Sequence, residues 1–77
     1  MSETNLHNRI AELRAARNLS QQQLADAIGV SRKTISTVET SRFTPSVQIA
    51  LQLARYFAVP VEQIFSLEPF YAMPAAQ

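Results

Sequence analysis

The residues of this chain with chemistry to offer gather in one stretch. Arg32, Lys33, Ser36, Thr37 and Thr40 are separated by one, three, one and three residues, which on a helix puts them on one face. That face carries two cations, three hydroxyls and no acid. An ordinary solvated face mixes both signs and usually includes glutamate, so plain solvation accounts for it poorly. Cations reach phosphates or guanine, and hydroxyls reach bases or backbone, so the chemistry indicated is recognition of the DNA major groove.

Other chemistries lack their parts. The chain has no cysteine and one histidine, His7, which leaves no disulfide framework, no thiolate cluster and almost no basis for zinc. A single glycine, Gly29, rules out a glycine-rich phosphate loop. Glu12, Asp26, Glu39, Glu62 and Glu68 show no paired spacing on one face, and no nucleophile lies beside a base. The expectation is a protein that is not an enzyme and carries no metal or cofactor. The net charge of +1 hides a segregation. Residues 1–57 hold all seven cations against four acids, a balance of +3, and residues 58–77 hold two acids alone. No window approaches the roughly 18 apolar residues of a membrane span. The start, MSETNLHNRI, has an early acid and no apolar core, unlike a signal peptide. The expected setting is cytoplasmic, beside the nucleoid, with no membrane partner.

A helix carrying the cationic face has to be held in place. Ser31 is its N-cap candidate, and Ile35, Val38 and Glu39 fall on its inward side. Ahead of it, Ser20 and Gln23 have the capping-box spacing. Leu24, Ala25 and Ile28 make an apolar stripe, and Gly29 stands where a left-handed residue closes a helix. This predicts a helix over Gln21 to Ile28. The linker Gly29 to Ser31 is short enough to force a steep crossing, as in a helix-turn-helix. Upstream, Leu6, Ile10 and Leu13 step by four and three, predicting a first helix over about Leu6 to Arg17. Downstream, Thr44-Pro45 reads as N-cap and first helical residue. That predicts a fourth helix over about Pro45 to Phe57, with Val47, Ala50, Leu51, Ala54 and Phe57 inward. Pro60 interrupts, and Val61 to Phe65 reads as a short fifth helix. No stretch alternates as a strand does. The class is therefore all-α: a compact five-helix domain over residues 5–67, with a tail over 68–77.

The segment LSQQQLADAIGVSRKTISTVETSRFTPSVQIALQLARYFAVPVEQIF resembles the lambda-repressor-like, Cro-type (XRE) helix-turn-helix domain. The resemblance covers about Asn8 to Leu67. It is carried by Ser20-Gln21, Leu24-Ala25, Gly29-Val30-Ser31, Ile35-Ser36, Glu39, Pro45-Ser46 and Leu53-Ala54 at this spacing. It implies a third helix in the major groove and a second helix bridging the backbone. Position by position, it implies base contacts from Arg32, Lys33, Thr34 and Thr37. Phosphate contacts fall to Gln21, Ser31 and Arg42, and to Ser36 and Thr40 beside the base-reading positions. The family has an arginine–glutamate pair joining helices one and three. Arg14 and Glu39 each lie one turn beyond a core residue, so they are the expected pair, with Arg17 as the alternative partner. Ser41 and Ala58 stand where the family often has glycine, and Pro60 where it usually has an N-cap. A left-handed residue at Ser41 costs about 1 kcal/mol relative to glycine.

Leu6, Ile10, Leu13, Leu19, Leu24, Ile28, Val30, Ile35, Val38, Leu51, Phe57, Val59, Ile64 and Phe65 are the expected core, with His7 exposed near a helix start. Phe70, Tyr71 and Met73 make an apolar cluster in the tail, read as a dimer contact or as a flap over the chain's own core. The partner expected is double-stranded DNA, bound as a near-palindrome by a homodimer of a transcription regulator, a repressor by preference. The competing reading is an antitoxin or adaptor that binds a protein partner through the tail.

Overall fold

The computed structural model describes residues 6–70. In chain order these form β1 (His7–Asn8), α1 (Ile10–Ala16), α2 (Gln21–Ile28), α3 (Arg32–Glu39) and α4 (Val47–Phe57). A single 3-10 turn (Val61–Gln63) and β2 (Phe65–Ser66) follow. The second and third helices sit where their caps require. Ser20 accepts from Gln23 N while the Gln23 side chain accepts from Ser20 N, a complete capping box. Ser31 accepts from Thr34 N at 3.1 Å.

Three elements differ from expectation. The first helix starts at Ile10, not Leu6. Asn8 takes the Ile10 amide on its Oδ1 at 3.1 Å, and His7–Asn8 pairs antiparallel with Phe65–Ser66. The four-then-three spacing from Leu6 thus crosses a strand into a helix, and Leu6 still packs on the core. The fourth helix starts at Val47 with Ser46 as its cap, accepting from Ile49 N, two residues after the Thr44-Pro45 start. Serine is the stronger cap of the two. The expected fifth helix is one 3-10 turn, closed by Gln63 N to Pro60 O and Ile64 N to Val61 O. It cannot continue, because the Arg9 amide takes the Ile64 carbonyl at 2.9 Å and Phe65 enters the ribbon. The described residues are therefore mostly helical, with four α-helices and a two-stranded ribbon rather than five helices. His7 is accordingly half-buried in that ribbon.

All four α-helices end on a residue with positive φ: Asn18, Gly29, Ser41 and Ala58, at 56°, 78°, 62° and 59°. After α3, Arg42 N donates to Thr37 O and Ser41 N to Val38 O. The same two-bond pattern closes α1 and α4, so the last carbonyls are satisfied each time. Only one of these four positions is glycine. Ser41 and Ala58 each carry a conformational cost of about 1 kcal/mol, and Asn18 less, since asparagine tolerates this region; the closing bonds offset it.

The core is Ile10, Leu24, Ala25, Ile28, Ile35, Val38, Leu53, Phe57, Ile64 and Phe65, one cluster drawn from every helix. Leu6, Leu13, Leu19, Val30 and Val59, expected in the core, are partly buried and packed against it, and two residues expected to face inward are exposed. Val47 is 76% and Leu51 56% exposed. Residues Ile49 to Phe57 are so rich in apolar side chains that periodicity does not choose a face. Packing on α2 and the 3-10 turn selects Leu53 and Phe57, with Ile49 and Ala50 partly covered. Among the described residues no helix is long and apolar enough to cross a membrane.

Candidate nucleic-acid interface

The position of α3 is set from three sides. Ala25 and Ile28 of α2 and Ile35 and Val38 of α3 bury against one another across the Gly29–Ser31 turn. Val30 N donates to Ala25 O at 3.0 Å, locking that turn. At the other end, Asn8 Nδ2 donates to Val38 O and Glu39 O at 3.1 and 3.2 Å. Ser41 Oγ donates to Leu6 O at 3.2 Å. The strand ahead of α1 therefore clasps the C-terminal end of α3.

The third side is a polar network. Arg14 Nε donates to Glu39 Oε2 at 2.5 Å and Nη2 to Glu39 Oε1 at 3.3 Å, a two-point pair. Arg14 Nη1 donates to Leu19 O at 2.7 Å. Glu39 Oε1 also accepts from Gln21 Nε2 at 3.0 Å. The side chains of Arg14 and Glu39 are only 19% and 8% exposed, so the pair is half-buried and better shielded from solvent than a surface one. Arg17, the other candidate for Glu39, is spent elsewhere. Its guanidinium donates to the Tyr56 and Phe57 carbonyls at 3.1 and 2.9 Å and lies over the Phe57 ring at 5.1 Å. It closes α4.

One link runs from this interior to the outer face. Gln21 is half-buried, and its Oε1 lies 3.4 Å from Arg32 Nη1. Gln21, expected to face phosphate, thus bridges Glu39 and Arg32. Glu39, the one acid in α3, is turned inward and paired.

Outward, α3 presents Arg32 and Lys33 exposed, Thr34, Ser36 and Thr37 half-exposed, and Thr40 exposed at the end. Arg42 is exposed in the loop beyond. The hydroxyls are partly committed. Thr37 Oγ1 donates to Lys33 O or Thr34 O, and Thr40 Oγ1 to Ser36 O or Thr37 O. Thr34 Oγ1 shares a hydrogen with Ser31 Oγ. A threonine hydroxyl turned back on its own helix keeps acceptor lone pairs and leaves its methyl group to meet a ligand. The face is thus more cationic and more apolar than a count of hydroxyls suggests. Among the described residues no group of three or more His, Asp or Glu could hold a metal ion.

Of the tail cluster, Phe70 is described and half-buried, with the Arg9 guanidinium over its ring at 5.1 Å. Tyr71 and Met73 lie outside the described residues. Two positioning residues escaped the sequence reading. Asn8 carried a signal, a cap-type side chain two residues before the first buried isoleucine. The Gln21 bridge carried none, because its partners lie 11 and 18 residues away. Phe43 also went unnoticed: it is half-exposed and lines a shallow cleft with Ser31, Lys33, Thr34 and Thr37.

The family described as Helix-turn-helix matches residues 10–64 of the chain. An HTH-type transcriptional regulator of Methanocaldococcus jannaschii is 40% identical over 63 residues, spanning 82% of this chain and 96% of that protein. The phage CTXphi transcriptional repressor RstR of Vibrio cholerae is 30% identical, spanning 77% of this chain and 53% of its own length. The transcriptional activator BcrR of Enterococcus faecalis is 31% identical, spanning 80% of this chain and 30% of its own length. The crystal structure of a Bacteroides fragilis protein, described as a candidate DNA-binding protein, superposes with a TM-score of 0.70 at 26% identity. It covers 79% of this chain and 98% of that one. With α2 and α3 packed across a three-residue turn and these relatives beside it, the fold defines a helix-turn-helix DNA-binding domain of a transcription regulator. The chain belongs to the Cro-type (XRE) helix-turn-helix family.

Proposed function

We propose that this chain is a sequence-specific repressor that binds a near-palindromic operator as a homodimer, with α3 of each protomer in the major groove of one half-site. The observation that carries the reading is the outer face of α3. Arg32 and Lys33 are exposed, Arg42 flanks them, and Glu39 is withdrawn into the Arg14 pair. Arg32, Lys33, Thr34 and Thr37 read bases in this arrangement. Ser31, Ser36, Thr40 and Arg42 contact phosphate, and Gln21 contributes from the start of α2 while steadying Arg32. Two half-sites read this way have centres about 34 Å apart, or a multiple of that. The tail from Phe70 through Met73, with exposed Leu67 beside it, supplies the contact between protomers. Repression follows from occupancy alone, since a bound dimer blocks the same DNA to polymerase. The relative of which this chain spans the larger share is the repressor rather than the activator.

The test is selection of random duplexes in vitro with the full chain. The expected result is an enriched near-palindrome, with affinity falling steeply as salt rises because phosphate contacts displace counterions. Arg32→Ala and Lys33→Ala serve as controls that lose the motif. No enriched motif, or affinity insensitive to salt, overturns the proposal. Loss of the dimer on removal of residues 69–77, read by sedimentation, tests the tail separately.

A further inference from the structure

Four large apolar side chains are exposed among the described residues: Phe43, Val47, Leu51 and Leu67. Phe43 stands against α3. It is 50% exposed and is absent from both the core and the partly buried side chains packed around it. Its ring instead borders a cleft of about 210 Å3 whose other walls are Ser31, Lys33, Thr34 and Thr37. Lys33, Thr34 and Thr37 are the residues assigned above to base reading. The ring lies outside that core, and half of its surface stays open to solvent.

Its place is nevertheless well fixed. Ser41 turns the chain in a left-handed conformation, and the Arg42 amide bonds the Thr37 carbonyl at 3.0 Å. Phe43 follows directly, so the loop that carries it is tied to the residue whose side chain forms the opposite wall. Thr37 and Thr34 have their hydroxyls engaged within α3 and its cap, which leaves methyl groups for the cleft. The result is an apolar notch set into a cationic surface.

Major-groove edges of the four base pairs offer hydrogen-bond donors and acceptors and just one apolar group, the 5-methyl of thymine. We propose that Phe43 is a specificity-determining residue that reads a thymine 5-methyl group, seated in the notch between its ring and the threonines of α3. This rests on the DNA-binding reading above. Lys33, on the rim, holds a neighbouring phosphate or guanine and keeps the notch in register with the base.

The experiment uses the full chain and the duplex enriched by selection, with each thymine of one half-site replaced in turn by deoxyuridine. At one position, loss of the methyl is expected to weaken wild-type binding about three- to fivefold. Phe43→Ala should bind the thymine duplex more weakly and show no further loss with deoxyuridine at that position. Phe43→Leu should keep part of the discrimination. Both variants should melt as the wild type does, because the ring lies outside the core. Equal weakening of thymine and deoxyuridine duplexes by Phe43→Ala, with wild type still discriminating, would make the ring a backbone contact and sink the inference. So would a wild type indifferent to every replacement. Failure to enrich any duplex removes the DNA-binding reading itself, a result distinct from either.

Discussion

The two helices that flank the Ser41–Ser46 loop make opposite use of their exposed faces. On α3 the apolar residues are sparse, the buried pair Ile35 and Val38 leaves no choice of face, and what remains outside is cationic. On α4 apolar residues are abundant, Leu53 and Phe57 take the core, and Val47 and Leu51 stay outside. The helices also differ in what holds them. Partly buried hydrogen bonds and an ion pair tie α3 to α1, α2 and β1, and side-chain packing dominates the inner face of α4. A helix that must present side chains to a partner in one register gains from directional bonds, since apolar packing alone tolerates small rotations.

The largest effect is expected within α4. Leu53→Ala should cost about 2–5 kcal/mol by opening a cavity, whereas Leu51→Ala should stay within about 0.5 kcal/mol. Chemical denaturation of both distinguishes the faces, and comparable losses would put Leu51 inside. On α3, Glu39→Ala leaves the half-buried Arg14 with the Leu19 carbonyl alone and is expected to cost about 1.5–3 kcal/mol through lost charge-assisted hydrogen bonds, read as a fall in melting temperature together with DNA affinity. Equal melting temperatures would mean that α3 is held by packing, as α4 is. Arg32→Ala should weaken operator binding by about 1–3 kcal/mol without moving the melting point, which separates the outer face of α3 from its inner one. The smallest effect concerns the helix ends. Ala58→Gly should stabilise by somewhat under about 1 kcal/mol, and Gly29→Ala should destabilise by about as much. An added Cβ at Gly29 meets nothing within 4 Å, so the latter isolates the cost of the left-handed conformation from any clash. Ala58→Gly measured as destabilising would indicate that the extra freedom of glycine in the unfolded chain outweighs relief of strain.

How far the sequence could be read depended on whether a signal was local. Ser20 with Gln23, Ser31, and Gly29 act within one helical turn, and α2 and α3 start and stop where these residues stand. Ser41 and Ala58 are left-handed, as helix ends of this kind require even without glycine. The errors fall where two local signals compete or where a distant partner decides. Thr44 and Ser46 are both caps, and Ser46 is the one used. Leu6 has helical spacing to Ile10, yet its neighbours His7 and Asn8 pair with Phe65 and Ser66, nearly sixty residues away. In the interface, the cationic face of α3 was legible from residue types alone. The Gln21 bridge and the Phe43 notch were not, because each exists only once α2, α3 and the following loop are brought together.

By itself, then, the sequence determined the helix-turn-helix unit, its caps and the chemistry of its outer face, since hydrogen bonds inside one turn and a periodicity of 3.6 need no other part of the chain. The tertiary structure alone decided which face of α4 is buried, that the last helix shrinks to one turn, and that Gln21 joins Glu39 to Arg32. Those outcomes depend on partners supplied by elements far apart in the chain, and no local pattern encodes which partner a residue meets.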